Sequence, residues 1–284
     1  MGNSNTMAVS VIGIGNMGAA LTEALLSDNH QVCVWNRTAA KCQTVENAGA
    51  VVASSIAEVI EAGEVIVICL LDDTVTQSVL KHDELAASLR GKTLIQLSTV
   101  TAEESQVFGQ WADARGIRYL DGSILGYPEM IREGGGTIVY SGPRPIFDGC
   151  YEVLKSMAGK TQLIGEDVGG APVFDKAIYA WHYGSTLSFL HGAAICHAAG
   201  FDIDTYAAEI ASRDPARQTR TREFIVKREY DDPGCALEVE SVAYEHVLKL
   251  SERLGLDTEL ARVVHGYFRR GIDAGLGPKE TAAI

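Results

Sequence analysis

Short apolar runs alternate with amphipathic stretches along the first 165 residues of the chain. The apolar runs favour strands at 9–13, 31–35, 64–70, 92–96, 117–121, 137–141 and 161–164. The stretches between them favour helices, notably at 38–48, 102–115 and 144–157. Because strands that alternate with helices form a parallel sheet covered on both faces, we predict an α/β, doubly wound Rossmann domain over residues 1–167.

The pattern changes after residue 170. Residues 172–199 contain few helix breakers and favour one long, largely apolar helix. Residues 204–283 favour further helices with breaks at 214–215, 231–234 and 254–257. We therefore predict an interdomain helix and an all-helical C-terminal dimerisation domain over 168–284. The chain after the long helix is too short to cover it, so we expect a homodimer.

The composition excludes several classes of partner. Hydrophobic content of 46% and charged content of 21% are typical of a folded globular protein. The formal net charge of −13 argues against nucleic acid or an anionic membrane as a general partner. The longest apolar run is too short to span a bilayer and no signal peptide is recognisable, so we expect a cytoplasmic protein with no membrane partner.

Two further features bear on partners and ligands. The six cysteines lack C-x-x-C spacing, and we predict no metal site. The segment 213–228 holds five arginines and one lysine. It forms either a solvated helix face or a contact with an anionic substrate or a partner subunit.

A glycine-rich turn follows the first predicted strand and opens an amphipathic stretch. In this G-x-G-x-x-G pattern the glycines permit a tight turn, close approach of backbone amides to a pyrophosphate, and close helix packing. The order of strand, turn and helix therefore predicts a dinucleotide site. Leu70, Leu71 and Thr99 should join it from the ends of neighbouring strands. The turn residues predicted to bind are Gly13, Ile14, Gly15, Asn16 and Met17.

The residues after the second predicted strand select between the two nicotinamide dinucleotides. Asn36, Arg37 and Thr38 stand where an Asp or Glu would bind a ribose 2′-hydroxyl, and Lys41 follows one turn later. A guanidinium, a hydroxyl and an ammonium form a cradle for a 2′-phosphate. The sequence therefore predicts NADPH as the cofactor.

The order of a Rossmann domain, a long helix and a helical domain resembles the β-hydroxyacid dehydrogenase superfamily. Within it, several strings are similar to those of imine reductases and reductive aminases. Two departures separate the chain from the hydroxyacid enzymes. The loop 121–127 lacks their Ser-Gly-Gly carboxylate nest, and Ala180 replaces the Asn that follows their catalytic Lys by four residues. The similar strings are 34–38, 97–101, 119–122, 140–143 and 165–167, followed by Phe174-Asp175.

This resemblance implies roles for individual residues. Asp175 stands where imine reductases keep an Asp, and a carboxylate there stabilises an iminium cation, or supplies a proton if burial raises its pKa. Tyr183 is expected to position the substrate and share in proton transfer. Ser123 and Glu240 are candidate substrate contacts. The resemblance also implies an active site shared between the nucleotide domain of one subunit and the helical domain of the other.

Three functions are therefore open. The first is an NADPH-dependent oxidoreductase that reduces imines or iminium ions to amines, including imines formed in place from a carbonyl and an amine. The second is an NADP-dependent 3-hydroxyacid dehydrogenase or semialdehyde reductase that uses Lys176. The third is a non-catalytic NADPH-binding protein. Structural roles are also open for Asp175, as an ion-pair partner of Lys176, and for Tyr183, as an interface aromatic.

Overall fold

The computed structural model of the protein describes residues 7–231, 233 and 235–284; for residues 83 and 213–219 the backbone alone is described. The chain divides into two compact units, one ending at Tyr179 and the other beginning at Ala180. The predicted domain boundary, after residue 167, precedes the long helix, whereas the boundary between the compact units lies inside it.

The first unit is built on one eight-stranded sheet with helices between the strands. Its strand order is β3-β2-β1-β4-β5-β6-β7-β8. The strands are β1 (Ala8–Ile12), β2 (Gln31–Trp35), β3 (Val51–Val52), β4 (Val65–Ile68), β5 (Thr93–Gln96), β6 (Arg118–Leu125), β7 (Thr137–Ser141) and β8 (Lys160–Gly165). The helices are α1 (Asn16–Ser27), α2 (Gln43–Asn47), α3 (Ile56–Ala62), α4 (Asp73–Leu80), α5 (Asp83–Leu89), α6 (Ala102–Asp113), α7 (Pro128–Arg132), α8 (Arg144–Gly149) and α9 (Tyr151–Ser156).

The apolar strand residues explain this arrangement. All four residues of β4 and all four of β5 are buried, as expected for central parallel strands covered on both faces. Two apolar clusters, one containing Val11 and the other Ile66, include residues on strands and helices. Helices begin at clear caps, such as the capping box in which Thr101 and Glu104 satisfy each other's backbone amides.

The predicted Rossmann fold is confirmed, with three local corrections. The sheet is not entirely parallel, because β7 runs antiparallel to β6. Only residues 126–136 connect these two strands, and a parallel crossover normally needs a longer connection. The two-residue edge strand β3 was too short to predict from periodicity. The predicted helix at 144–157 is interrupted at Cys150, directly after the weak helix former Gly149.

The second unit is helical. The long helix α10 (Gly170–Ala198) enters it and is followed by α11 (Ile203–Lys227), α12 (Leu237–Arg253) and α13 (Glu259–Gly271), and then by short turns at Ile272–Leu276 and Thr281–Ala283. The helices do break between Lys227 and Leu237 and between Arg253 and Glu259. The predicted break at 214–215 is wrong, since α11 continues through it. A helix of 25 residues can lose one hydrogen bond at a proline and still propagate.

Much of α10 lacks cover within the described chain. Only Ala171, Pro172 and Asp175 are buried among its 29 residues. Large apolar side chains on it are more than a third exposed, namely Val173, Phe174, Ile178, Tyr179, Trp181, Tyr183, Leu187 and Leu190. A helix with this much exposed apolar area normally lies against another chain.

Both interpretations of the basic segment 213–228, a solvated helix face or a contact with an anionic substrate or a partner subunit, stay open. The side chains of Arg220, Arg222, Lys227 and Arg228 are exposed, and the Arg220 guanidinium lies 5.6 Å from the centre of the Phe224 ring. The side chains of Arg213 and Arg217 lie outside the described residues.

Within the described chain, no helix is both long enough and apolar enough to cross a bilayer.

Candidate cofactor and substrate site

The turn between β1 and α1 leaves no room for side chains at two of its glycines. Gly13 has a φ of +101°, and its amide donates to the Trp35 carbonyl oxygen at 2.9 Å. A Cβ on Gly13 would lie 2.3 Å from the Cys69 carbonyl oxygen, and a Cβ on Gly18 would lie 2.0 Å from that of Gly13. Both glycines are therefore required by the packing of the turn itself.

Gly15 differs, because a Cβ there would meet no atom of the chain within 4 Å. It caps the N-terminus of α1 without any side-chain hydrogen bond. The first amides of a helix carry partial positive charge and need acceptors from outside the helix. The open space beside Gly15 therefore fits the pyrophosphate of a dinucleotide, which would accept from these amides. Asn16 and Met17 follow on the first turn.

The loop after β2 is tied to this turn by one side chain. Asn36 accepts from the Ile14 amide at 3.0 Å and donates to the Thr38 carbonyl oxygen at 2.9 Å. Arg37, Thr38 and Lys41 are exposed, and neither basic side chain forms an ion pair with any described residue. The predicted phosphate cradle is therefore open to a ligand, while Asn36 holds the backbone that carries it.

A cleft of about 230 Å³ lies at the carboxyl ends of the central strands. It brings together residues predicted from separate parts of the sequence. Leu71, which was predicted to join them, is 77% exposed and does not line the cleft. The lining residues are Met17, Cys69, Leu70, Leu97, Ser98, Thr99, Val100, Ser123, Ile124, Gly126, Asp175, Lys176 and Tyr179.

Hydrogen bonds fix the strand ends around this cleft. The Ser98 hydroxyl accepts from the Leu70 amide at 2.9 Å. Asp72 forms a bridge with Thr99 and caps α4 by accepting from the Val75 amide at 2.8 Å. The contact of Ser98 with Leu70 and the bridge between Asp72 and Thr99 depend on the pairing of β4 with β5, whereas the Asp72 cap is a local contact with the amide three residues later.

The Asp175 carboxylate is the buried charge of the cleft. Asp175 is 8% exposed, and its Oδ2 lies 2.6 Å from the Nζ of Lys176. The Lys176 ammonium lies 5.3 Å from the centre of the Tyr179 ring, and its side chain is 48% exposed. Tyr179 was not predicted, although it stands four residues after Asp175 and hence on the same helix face. A largely buried carboxylate in a cleft needs a cationic partner, which is Lys176 here.

Tyr183 and Glu240 lie in the second unit. Tyr183 is 58% exposed, and its ring makes an edge contact with that of His182 at 5.1 Å. Glu240 lies in the first turn of α12 and is half-buried. Partial burial and the Glu240 carboxylate raise the pKa of the Cys235 thiol. The predicted roles of Tyr183 and Glu240 as substrate contacts stay predictions.

Within the described chain, no group of three His, Cys, Asp or Glu side chains is placed to hold a metal ion.

Comparison with known proteins connects both parts of the chain to one group of enzymes. Residues 8–165 match the NAD-binding domain of 6-phosphogluconate dehydrogenase, and residues 167–284 match the C-terminal domain of NADPH-dependent reductive aminase-like proteins. An NADPH-dependent reductive aminase of Aspergillus oryzae is 26% identical over 97% of this chain and 95% of its own length.

Two further relatives span much of the chain. The structure of an imine reductase from Myxococcus stipitatus in complex with NADP⁺ is 30% identical with a TM-score of 0.89, covering 97% of this chain and 98% of that one. Glyoxylate/succinic semialdehyde reductase 1 of Arabidopsis thaliana is 30% identical over 70% of this chain and 69% of its own length.

The two kinds of glycine in the turn should respond differently to substitution. Gly15→Ala is expected to leave the melting temperature unchanged but to weaken NADPH binding roughly tenfold or more, because the methyl group enters the space of the pyrophosphate. Gly18→Ala is expected to destabilise the fold by about 1–3 kcal/mol through its clash with Gly13. Calorimetry of unfolding and of NADPH binding measures both. Equal effects of the two substitutions on stability would contradict this assignment.

Arg37 should set the preference for a 2′-phosphate. Arg37→Asp is expected to weaken NADPH binding by roughly tenfold to a hundredfold without weakening NADH binding, since the carboxylate repels the 2′-phosphate but can accept from a 2′-hydroxyl. Titration of both dinucleotides measures the ratio of dissociation constants. Arg90→Asp, at another exposed arginine, is the matched control. An unchanged ratio in Arg37→Asp would show that other residues bind the phosphate.

Proposed function

The chain belongs to the imine reductase and reductive aminase family, and we propose that it reduces imines or iminium ions to amines with NADPH. The observation that carries this proposal is the position of Asp175, a nearly buried carboxylate that lines the same cleft as Thr99 and Ser123. The matches across both halves of the chain to reductive aminases and imine reductases support it.

The cofactor would lie along the carboxyl ends of the strands. The first amides of α1 beside Gly15 would receive the pyrophosphate, and Arg37, Thr38 and Lys41 would hold the 2′-phosphate. Met17, Leu70 and Thr99, which line the cleft, would flank the nicotinamide end. When bound, NADPH supplies the hydride. The three residues that would hold the 2′-phosphate, Arg37, Thr38 and Lys41, include no carboxylate that would repel it.

Asp175 would be the charged partner of the substrate nitrogen. A carboxylate attracts a cation more strongly inside a poorly hydrated cleft than in water, so it stabilises the iminium form that is ready for reduction. Lys176 occupies this position in the resting chain, and its partly exposed side chain can withdraw into water when the substrate cation arrives. Asp175 thus exchanges one cationic partner for another.

Three further residues would complete the substrate site. Ser123 lines the cleft from β6 and can hydrogen-bond a polar group of the substrate. Tyr183 and Glu240 would contact the substrate from the helical unit, Tyr183 as a proton-transfer and positioning group and Glu240 as a contact for an amine cation. Imines formed in place from a carbonyl and an amine would enter the same cleft.

One observation favours a second candidate function. Lys176 also lines the cleft, where a lysine could take the hydroxyl proton of a 3-hydroxyacid. The similarity to a glyoxylate/succinic semialdehyde reductase is consistent with that reaction. The missing Asn at position 180 argues against it.

A single assay separates the candidate functions. With NADPH and a small cyclic imine, Asp175→Ala is expected to lower kcat/KM by roughly 10² to 10³, because the iminium loses its counter-ion. Lys176→Ala should keep most of the activity. Asp148→Ala, at an exposed carboxylate, is the control and should match the wild type.

Two results from further assays of the same variants would contradict the proposal. Oxidation of a 3-hydroxyacid with NADP⁺ that Lys176→Ala abolishes and Asp175→Ala spares would assign the second function. Tight NADPH binding without turnover across a broad imine panel would assign a non-catalytic role.

We also propose that the protein is a homodimer whose α10 helices cover each other and complete the active site. The exposed apolar side chains along α10 support this, since one chain leaves them in water. Sedimentation should show a dimer, and Leu187→Arg should produce monomers with little activity. Val107→Arg, at a similarly exposed residue of α6, should remain dimeric. An active wild-type monomer would contradict the proposal.

A further inference from the structure

Asp121 is a fully buried carboxylate that does not line the cleft. It lies in β6, opposite Ser141 of β7 in the antiparallel register. Its Oδ2 accepts from the Ser141 hydroxyl at 3.2 Å and from the Gly169 amide at 3.1 Å. The Ser141 oxygen in turn accepts from the Ala171 amide at 2.8 Å. Two of these hydrogen bonds, from the Gly169 and Ala171 amides, connect the sheet to the start of α10, and the third joins Asp121 to Ser141 within the sheet.

The start of α10 is also packed closely against its surroundings. Gly169 has a φ of +97°, and a Cβ there would lie 2.9 Å from the Ala102 carbonyl oxygen. A Cβ on Gly170 would lie 3.2 Å from the Cβ of Ser141. The backbone at Gly169 and Gly170 therefore lies against its neighbours with little space between them. The position of the first turn of α10 is set by these contacts as well as by the hydrogen bonds.

A carboxylate in this place destabilises the fold at neutral pH. Burial raises the pKa of Asp121 to about 6, and the hydroxyls of Ser105 and Ser141 and nearby backbone amides offset this only in part. The ionisable group that faces it is Tyr119, whose own pKa burial raises, so the phenol stays neutral. Because the pKa is raised, the stability that protonated Asp121 provides is lost as the pH rises through about 6. A local cost in stability of this kind is commonly found where a residue has a use beyond packing.

That use follows from the distance to the catalytic carboxylate. Ala171 precedes Asp175 by four residues, a rise of roughly 6 Å or about one helical turn. A helix is rigid over one turn, so a shift at Ala171 moves Asp175 by a similar amount. Displacement of a catalytic group by about 1 Å can lower turnover about a hundredfold.

We propose that Asp121 and Ser141 are positioning residues, which fix the start of α10 on the sheet and thereby hold the Asp175 carboxylate in the cleft. The Gly169 and Ala171 amides at the positive end of this 29-residue helix donate to Asp121 and Ser141, and the bond to Asp121 offsets part of the cost of burying that carboxylate. The inference rests on the proposed function of Asp175. It adds two residues, outside the cleft, on which that function depends.

The test compares two buried serines. Ser141→Ala leaves the Ala171 amide without its acceptor, so amide hydrogen exchange at residue 171 and at residues 173–175 should become about tenfold faster. Turnover of a cyclic imine should fall about tenfold or more, while the NADPH dissociation constant stays within about twofold of the wild type. Ser10→Ala is the matched control, because Ser10 in β1 is equally buried and donates to the Val59 carbonyl oxygen of α3, away from α10. It should change neither quantity.

Asp121→Asn gives a second, conservative variant. Its amide oxygen can still accept from Ser141 and Gly169, so exchange at 171 and 173–175 and turnover should remain close to the wild type. A larger loss of turnover in Asp121→Asn than in Ser141→Ala would overturn the proposed chain of contacts.

Two other results would overturn the inference. Exchange at 171 and 173–175 in Ser141→Ala that is no faster than in Ser10→Ala would show that Ser141 does not hold the helix. Faster exchange with unchanged turnover would show that the helix start does not position Asp175. If the wild type reduces no imine, the proposed function fails, and the exchange comparison still decides whether Ser141 holds α10.

Discussion

Burial of the Asp175 carboxylate in a cleft costs free energy that a cationic partner offsets, and this constraint organises the site. Asp175 meets it in the resting chain through Lys176, at 2.6 Å. Water cannot screen the charge fully at 8% exposure, so the Coulomb attraction between Asp175 and a cation that replaces Lys176 is stronger than at the surface, and desolvation of that cation offsets part of it. Imine-reducing enzymes need to stabilise a positively charged nitrogen. The placement of the Asp175 carboxylate in the cleft supplies that chemistry.

The rest of the first unit serves to bring a cofactor to that carboxylate. Parallel strands end together, so the turn after β1 and the ends of β4, β5 and β6 lie at one edge of the sheet. Asn36 joins the loop after β2 to the glycine turn, and Ser98 holds the end of β4. The start of α10 is attached to the same sheet by Ser141, so the carboxylate and the cofactor-binding turn share one rigid base.

Features that depend on local sequence were predictable, and features that depend on pairing were not. The glycine turn, the identity of the loop after β2 and the extent of α10 follow from residue type and periodicity within one segment. The antiparallel β7 does not, because its direction is set by the short connection from β6. The continuity of α11 through residue 215 shows that a proline's local preference can be overcome by the helix around it.

The same distinction applies to the site. Asp175, Thr99 and Ser123 were found by resemblance and spacing, and the structure places all three in one cleft. Asp121 was visible only as part of a motif, since its partner Ser141 is brought to it by the antiparallel pairing. A signal did exist for Tyr179, at four residues from Asp175 on a predicted helix, and it was missed.

The most direct test of this account is a crystal structure of the protein with NADP⁺ and a cyclic amine product. The account predicts that the amine nitrogen lies within about 3 Å of the Asp175 carboxylate, with the Lys176 ammonium displaced toward solvent. A nitrogen bound elsewhere while Lys176 still pairs with Asp175, or a carboxylate turned away from the cleft, would contradict it.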